Sequence, residues 1–346
     1  MPFPELTERE RRVLEAVIQS YVETAQPAGS SAIARRFGLG VSPATIRNTM
    51  SDLEEKGLLY HPHTSAGRVP TDVAYRVYVD SLMPMLPLAL KEHDQLSARI
   101  STGGSAVESI LRRAAQSLGV ITQELGVALG PRLDTSKVER LDLVKLSSER
   151  LLVALTLSGG AVRTIFVESR GEIADVAIAE VTRVLNERIA GLTLREVRTS
   201  LADRLRDTGP TPDAAELLNV FIEEGEQLFE SAAGRDDDVL LGQASLLAEQ
   251  PEFASVHSMR KLVALTETRE HLGDLLRNRS DKPGITISIG NEHRDPRLEN
   301  LTIVTAQYRS GTVTGVIGVI GPTRMPYDKV ISLVTHTSRL LTDLLD

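Results

Sequence analysis

The stretch SPATIRNTMSDLEEKGL, residues 42–58, decides the fold of the N-terminal part of the chain. Ser42 suits a helix N-cap because its hydroxyl can accept a hydrogen bond from a free backbone N–H, and Pro43 suits the first helical position. Ile46 and Met50 stand four residues apart, so we expect one apolar face with small polar side chains and an arginine opposite. A DNA-recognition helix needs such a polar face to enter the major groove. Taken alone, the pattern is more typical of an ordinary amphipathic surface helix.

The segments on either side change that interpretation. Residues 7–10, TERE, form a predicted capping box that starts a first amphipathic helix. Residues 26–29, QPAG, end this helix, and Ser30 or Ser31 can cap a short second one. A glycine turn at 38–41 then leads into the capped third helix. Helix, short helix, turn and capped helix is the order of a helix-turn-helix domain.

Two short segments follow, Leu58-Leu59-Tyr60 and Arg68-Val69, and they can pair as a hairpin around a polar tip. Such a hairpin is the wing of a winged helix. With the wing in place, the N-terminal part closely resembles the winged-helix domain of the heat-inducible transcription repressor family HrcA. The resemblance is strongest over residues 1–82, returns near the C-terminus, and is carried by the blocks 42–48, 62–71, 75–80 and 318–327.

The resemblance implies a DNA interface made by the third helix and the wing. The residues expected to contact bases are Ser42, Pro43, Ala44, Thr45, Arg47 and Asn48. We expect Arg68 to reach phosphate or the minor groove from the wing. Ser65 and Gly67 would shape the wing tip.

The composition is that of a folded protein with ordinary apolar cores. The chain has 346 residues, enough for two or three domains, and 41% of them are hydrophobic. It has no cysteine, which excludes disulfides, thiolate zinc sites and cysteine nucleophiles and fits a reducing cytoplasm. Neither a signal peptide nor an apolar run of roughly twenty residues is seen. We therefore expect a cytoplasmic protein with no membrane partner.

The net charge of −8 at first argues against a nucleic-acid partner. Residues 1–80, however, carry nine basic and ten acidic side chains, whereas the remainder carries 30 basic and 37 acidic ones. The acidity therefore lies mainly outside the winged helix. A basic face on a nearly neutral domain is enough for phosphate contacts. We expect modest non-specific affinity, with specificity coming from base contacts and dimerisation. The basic residues concerned are Arg35, Arg36, Arg47, Lys56, Arg68 and Arg76.

Beyond the winged helix, the spacing of the hydrophobic residues is typical of strands in some segments and of helices in others. Alternation predicts strands at 138–146, 151–157, 162–167, 285–289, 301–308 and 312–320, the last as a central strand. Helical spacing predicts helices at 173–189, 193–205, 212–229 and 253–276, and a closing helix capped by Asp328. Sheets with flanking helices indicate an α+β fold.

The family resemblance implies how these elements are divided. An N-terminal winged helix-turn-helix domain, residues 1–82, would precede a GAF-like α+β domain made of residues 83–137 and 236–346. A dimerising α/β insertion, residues 138–235, would interrupt the GAF-like domain.

Other candidate sites are weaker. His61 and His63 have no further metal ligands at a recognisable spacing, and the scattered histidines have no catalytic partners. Arg294-Asp295 and Arg324 could line an anion pocket in the GAF-like domain, but loop ion pairs explain them better. We therefore expect no catalytic, cofactor or metal site, and no enzyme.

The resemblance implies a dimeric repressor of class I heat-shock (chaperone) genes. Its target would be the CIRCE inverted repeat in double-stranded DNA, upstream of chaperonin and Hsp70-type operons, which it would keep uninduced at normal temperature. A GroEL-type chaperonin would be the partner that keeps the repressor active. The alternative is a metabolite-sensing winged-helix regulator that uses a GAF-like pocket.

Overall fold

The structure is a computed structural model that describes residues 4–63, 66–83, 90–101, 107–131, 133–158, 160–169, 171, 173–233, 239–267, 269–280, 282–311 and 313–345. The described residues form three antiparallel sheets with helices packed around them, as expected for an α+β chain. Two of the inferred domain limits lie beside residues 84–89 and within 234–238, outside the described residues, so the division into domains remains a prediction.

The N-terminal part folds as a winged helix. Its elements are α1 (Glu8–Thr24), α2 (Ser30–Phe37), α3 (Pro43–Glu55), β1 (Leu59–Tyr60), β2 (Val69–Pro70) and α4 (Asp72–Val77), which continues as one π-helical stretch over Tyr78–Leu82. The capping box is present: the Glu10 N–H donates to Thr7 Oγ1 at 3.3 Å, and the Thr7 N–H donates to Glu10 Oε2 at 2.7 Å. The expected serine cap of α2 is wrong. Gly29 is the N-cap, without a side-chain hydrogen bond, and Ser30 is the first helical residue and is buried.

The C-terminal part is built on a five-stranded antiparallel sheet of strand order β7-β3-β10-β9-β8. Its strands are β3 (Leu125–Leu129), β7 (Val239–Leu241), β8 (Ile285–Ile289), β9 (Leu301–Ser310) and β10 (Val313–Pro322). The prediction of a central strand near 312–320 is confirmed, since β10 lies in the middle of the order. The helices of this part are α5 (Leu90–Ser101), α6 (Val107–Thr122), α10 (Ala244–Ala248), α11 (Val256–Glu267), α12 (Arg269–Ser280) and α13 (Tyr327–Leu345).

Between β3 and β7 the chain forms a separate unit with its own apolar core. A three-stranded sheet of β4 (Val138–Lys145), β5 (Arg150–Leu157) and β6 (Val162–Glu168) is followed by α7 (Asp175–Ile189), α8 (Leu194–Leu205) and α9 (Pro212–Ala233). The predicted three strands and three helices are therefore confirmed. The helices cover one face of this sheet, and the other face is left open to solvent in the single chain.

Two helix predictions need correction. The expected long helix at 253–276 begins later, at Val256, after a short 3-10 turn over Pro251–Phe253, and the chain is helical on both sides of residue 268, which lies outside the described residues. Asp328 does not cap the closing helix from outside, because α13 already includes Tyr327.

The winged helix packs tightly against the five-stranded sheet domain through α4. The rings of Tyr75 and Tyr327 are both buried, with centroids 5.7 Å apart. Arg76 donates to both carboxylate oxygens of Glu292, at 2.8 and 2.5 Å. The buried side chains of the two parts form one continuous apolar core, so the winged helix is held in a fixed place.

No helix among the described residues is long and apolar enough to cross a membrane.

The Arg76–Glu292 pair makes a pH-dependent contribution to stability. Partial burial raises the pKa of Glu292, but the Arg76 hydrogen bonds and charge outweigh that effect and leave it below its ordinary value of 4.5. A carboxylate whose pKa is lower in the folded than in the unfolded protein stabilises the fold at pH values above its unfolded-state pKa. This stabilisation is lost as the pH falls through the folded-state pKa. We expect Glu292→Gln to lower stability at pH 7 by about 1 kcal/mol, since the pair is only partly shielded from solvent.

The measurement is calorimetric melting of both proteins between pH 7 and pH 3. The gap between wild type and Glu292→Gln should narrow as the pH falls below about 4.5, the ordinary Glu value. Glu108→Gln, which removes an exposed pair with Arg112 within one helix, is the control and should change little. A gap that stays constant down to pH 3 would contradict the ionic origin of the contact.

Candidate nucleic-acid interface

Helix α3 is fixed by its apolar face and its N-terminal cap. Ile46, Met50 and Leu53 are each at most 2% exposed in the core shared with α1 and α2. The Thr45 N–H donates to Ser42 Oγ at 3.2 Å, and the two hydroxyl oxygens lie 2.9 Å apart. The helix therefore presents a defined outer face, as a recognition helix requires.

The structure brings together the six α3 residues predicted to contact bases. Ser42, Pro43, Ala44, Arg47 and Asn48 are exposed, and Thr45 is half-buried. Arg47 and Asn48 form no side-chain hydrogen bond or ion pair with the described residues. Their donors and acceptors are therefore free for an external partner. Guanidinium and carboxamide groups are the side chains that read base edges most specifically.

Most of the other cations counted in the sequence are neutralised within the protein. Arg36 pairs with Glu23, and Lys56 pairs with the largely buried Glu10 at 2.7 Å. Arg76 is held by Glu292. Of the six cations counted in the sequence, Arg35 on α2 and Arg47 on α3 are the two without an ion pair among the described residues.

Arg35 is a candidate that the sequence reasoning counted as basic but did not place in the site. Its side chain is exposed and donates only to the Ser31 carbonyl at 3.3 Å within α2. In helix-turn-helix domains the helix before the recognition helix crosses the DNA backbone, so Arg35 is suitably placed for a phosphate. The order of the helices was the signal that could have identified it.

The wing approaches the rest of the domain very closely at Gly67. A two-residue antiparallel bridge joins Arg68 to Ala28 through both backbone hydrogen bonds, at 2.8 and 2.9 Å. A Cβ atom at Gly67 would lie 2.5 Å from the Ala28 carbonyl, far inside contact distance. Gly67 therefore sets where the wing packs, in keeping with its expected role. Ser65 lies outside the described residues.

Arg68 is not placed as the sequence suggested. Its side chain is only 12% exposed, and Nη2 lies 2.8 Å from Glu54 Oε2 on α3. The same nitrogen lies 3.4 Å from Ser51 Oγ. In the free chain the guanidinium is turned into the protein and paired there, so it is not presented to phosphate or the minor groove, and a contact of Arg68 with DNA stays a prediction. A long-range pair of this kind leaves no local sequence pattern.

Of the two arginines considered for an anion pocket, Arg324 is paired within the protein, whereas Arg294 is exposed and forms no ion pair with the described residues. Asp295 accepts hydrogen bonds from Arg297. These bonds are the main reason that the pKa of Asp295 lies well below the ordinary Asp value. Arg324 donates to Glu252 at 2.6 Å and to the Val22 carbonyl of α1 at 2.7 Å. These loop ion pairs are the interpretation that the sequence favoured.

Two family models match the chain. A model described as winged helix-turn-helix transcription repressor, HrcA DNA-binding, covers residues 5–81, and one described as HrcA protein C terminal domain covers residues 108–331.

Relatives match over the whole length. The chain is 40% identical to the heat-inducible transcription repressor HrcA of Chlorobium phaeobacteroides (strain BS1) and 37% identical to that of Geobacter sulfurreducens, each over 99% of both proteins. A crystal structure titled as a hypothetical protein at 2.2 Å resolution has a TM-score of 0.64 and 22% identity over 99% of both chains, which supports the fold.

We expect Gly67→Ala to destabilise the winged helix, because the new methyl group would collide with the Ala28 backbone rather than with a flexible side chain. Overpacking of this kind typically costs about 1–3 kcal/mol. The measurement is the free energy of unfolding from urea titration. Gly209→Ala is the control, since nothing lies within 4 Å of a Cβ at that position. Equal stability of the two variants would show that the wing moves aside freely.

Proposed function

Because the chain belongs to the HrcA family of heat-inducible transcription repressors, we propose that it represses class I heat-shock (chaperone) genes by binding the CIRCE inverted repeat as a homodimer. Its activity as a winged-helix transcription repressor follows from the family itself, which is not a class of enzymes. The observation that best supports the DNA contact is a pair of exposed side chains, Arg47 and Asn48, on the outer face of a capped helix, where neither has a polar partner in the part of the chain that the structure describes.

The proposed contacts follow from the chemistry of the α3 surface. Arg47 can donate two parallel hydrogen bonds to a guanine, and Asn48 can pair with the edge of an adenine. Pro43 and Ala44 give the helix a small apolar N-terminus that can contact a thymine methyl group. Ser42 and Thr45 add hydroxyl groups at the same end, and Arg35 would hold a phosphate on the flank.

The proposed dimer is supported by the open face of the β4-β5-β6 sheet. Val144, Leu152 and Phe166 are direct cross-strand neighbours on this face. Val144 is 46% exposed, Phe166 is 61% exposed, and Val162 on the same face is 60% exposed. An antiparallel sheet with one packed face normally turns polar residues to solvent, so an apolar open face marks an interaction surface. A second copy of the chain is the occupant we propose.

A dimer with two-fold symmetry presents two identical recognition helices, which matches an operator made of two identical half-sites. When the second recognition helix is tethered to the first through the dimer, its binding to DNA becomes intramolecular, which can raise the affinity for the operator about 10²–10⁴-fold. This gain offsets the weak electrostatic affinity of a nearly neutral DNA-binding domain.

Control by a GroEL-type chaperonin, and action in the cytoplasm where the operator lies, complete the proposal. Both are supported by the family resemblance. A metabolite-sensing regulator is not favoured, since the full-length relatives are named as heat-inducible repressors.

Arg47→Ala should weaken binding to a CIRCE duplex by about 1–3 kcal/mol, because a bidentate base contact is lost. Binding to an unrelated duplex of equal length should change little. The free energy of unfolding should also stay within about 0.5 kcal/mol, since the exposed Arg47 side chain forms no hydrogen bond or ion pair with the described residues. Fluorescence anisotropy at one fixed salt concentration measures both affinities. Equal losses on the two duplexes would restrict Arg47 to phosphate contact.

Phe166→Asp should dissociate the proposed dimer, because it places a charge on the open apolar face of the sheet. Sedimentation equilibrium should show monomers at concentrations where the wild type is dimeric, and CIRCE affinity should fall about 10²-fold or more. Val176→Asp is the control, since Val176 is 74% exposed but lies on α7 rather than on the sheet. A dimeric Phe166→Asp protein would remove this face from the proposed interface.

A further inference from the structure

A single carboxylate joins the recognition helix to both ends of the wing. Glu54 lies in the last turn of α3, with Oε1 2.7 Å from His61 Nδ1 and Oε2 2.8 Å from Arg68 Nη2. His61 directly follows β1, and Arg68 directly precedes β2. One side chain of the recognition helix therefore contacts the residues where the wing leaves the two-stranded sheet and where it returns.

The Arg68 side of this contact is largely closed to water. Its Nε is buried without a hydrogen-bond partner among the described residues, so the guanidinium depends on Glu54 for compensation of its charge. The Arg68 backbone is at the same time bridged to Ala28, in the loop between α1 and α2. Arg68 thus links the wing to both the loop and the recognition helix, and Glu54 completes the link.

A carboxylate at this place would ordinarily weaken DNA binding. DNA carries a dense array of negative phosphates, and an acidic group beside it is repelled. If Glu54 had no other role, its neutralisation would raise affinity for every DNA sequence. A role in holding the wing predicts the opposite result for the operator alone.

We propose that Glu54 is a positioning residue for operator binding, which fixes the wing relative to α3 so that both engage one half-site together. The proposal rests on the proposed function of α3 as the recognition helix. Glu54 itself contacts no base. It acts through His61 and Arg68, and the arginine serves as part of the same clamp rather than as a phosphate ligand.

The first test compares Glu54→Gln with Glu55→Gln in the full-length protein. Glu55 is the adjacent residue, exposed and without an ion pair among the described residues, so the two variants remove the same charge from the same helical turn. We expect Glu54→Gln to bind a CIRCE duplex about tenfold more weakly and an unrelated duplex no more weakly than wild type. Glu55→Gln should bind both duplexes as well as wild type or better. Similar behaviour of the two variants on both duplexes would overturn the proposal.

A double-mutant cycle with Arg68→Ala tests whether the two residues act together. If they form one clamp, the loss in the double variant on the CIRCE duplex should be close to that of either single variant. Additive losses would overturn the proposal. So would tighter operator binding by Glu54→Gln, which would mean that the freed arginine binds phosphate.

Hydrogen exchange of the free protein separates this proposal from the proposed function. Backbone amides of the wing, residues 61–69, should exchange faster in Glu54→Gln than in Glu55→Gln, while those of α1 stay unchanged. This measurement needs no DNA, so it decides whether Glu54 holds the wing even if Arg47→Ala contradicts operator reading by α3. Wing exchange equal to that of Glu55→Gln, or faster exchange throughout the winged helix, would overturn the clamp.

Discussion

The contact between α4 and the five-stranded sheet domain is the constraint on which the rest of the structure depends. The buried Tyr75–Tyr327 pair stabilises the contact by apolar packing, which does not fix an orientation. The hydrogen bonds between Arg76 and Glu292 depend on geometry and therefore fix the orientation of α4. Together with Asn291, whose backbone and side-chain nitrogens donate to Asp72, they leave the winged helix no freedom to rotate while the contact persists. In the dimer that we propose, the position of each recognition helix would therefore be set by the C-terminal part of its own chain.

The charged side chains of the winged helix stabilise its fold as well as providing groups that can contact DNA. Glu10 holds Lys56, and Glu54 holds Arg68, so acidic side chains of α1 and α3 neutralise cations that would otherwise face solvent. Arg35 and Arg47 form no ion pair with the described residues, and the same is true of Arg9, Arg11 and Arg12 on α1. A domain whose acidic and basic residues nearly balance gives little sequence-independent affinity, which favours discrimination between operator and bulk DNA.

Local chemistry is what the sequence predicted well. The Thr7 capping box and the Ser42 cap involve residues three apart, and the strand pattern of β10 is continuous, so these elements could be inferred from short windows. The burial of Arg68 could not be inferred in this way, because its partner Glu54 is 14 residues away in the sequence and comes close only when the wing has folded. The start of α11 at Val256 was missed because the apolar spacing extends back to Phe253. Six α3 residues were brought to one surface, but their DNA contacts remain a proposal.

The insertion of a whole unit between β3 and β7 has a consequence for the order of synthesis. Strands β3 and β7 are neighbours in the sheet although the entire three-stranded unit lies between them in the chain. The Arg76–Glu292 contact spans 216 residues. On the ribosome the winged helix emerges first, yet its docking surface on β8 and α13 is made last, and contacts so distant in sequence form slowly. A newly made chain therefore passes through a long interval in which α4 is exposed and the sheet is incomplete, so the winged helix cannot take up its fixed position until the last part of the chain has been made.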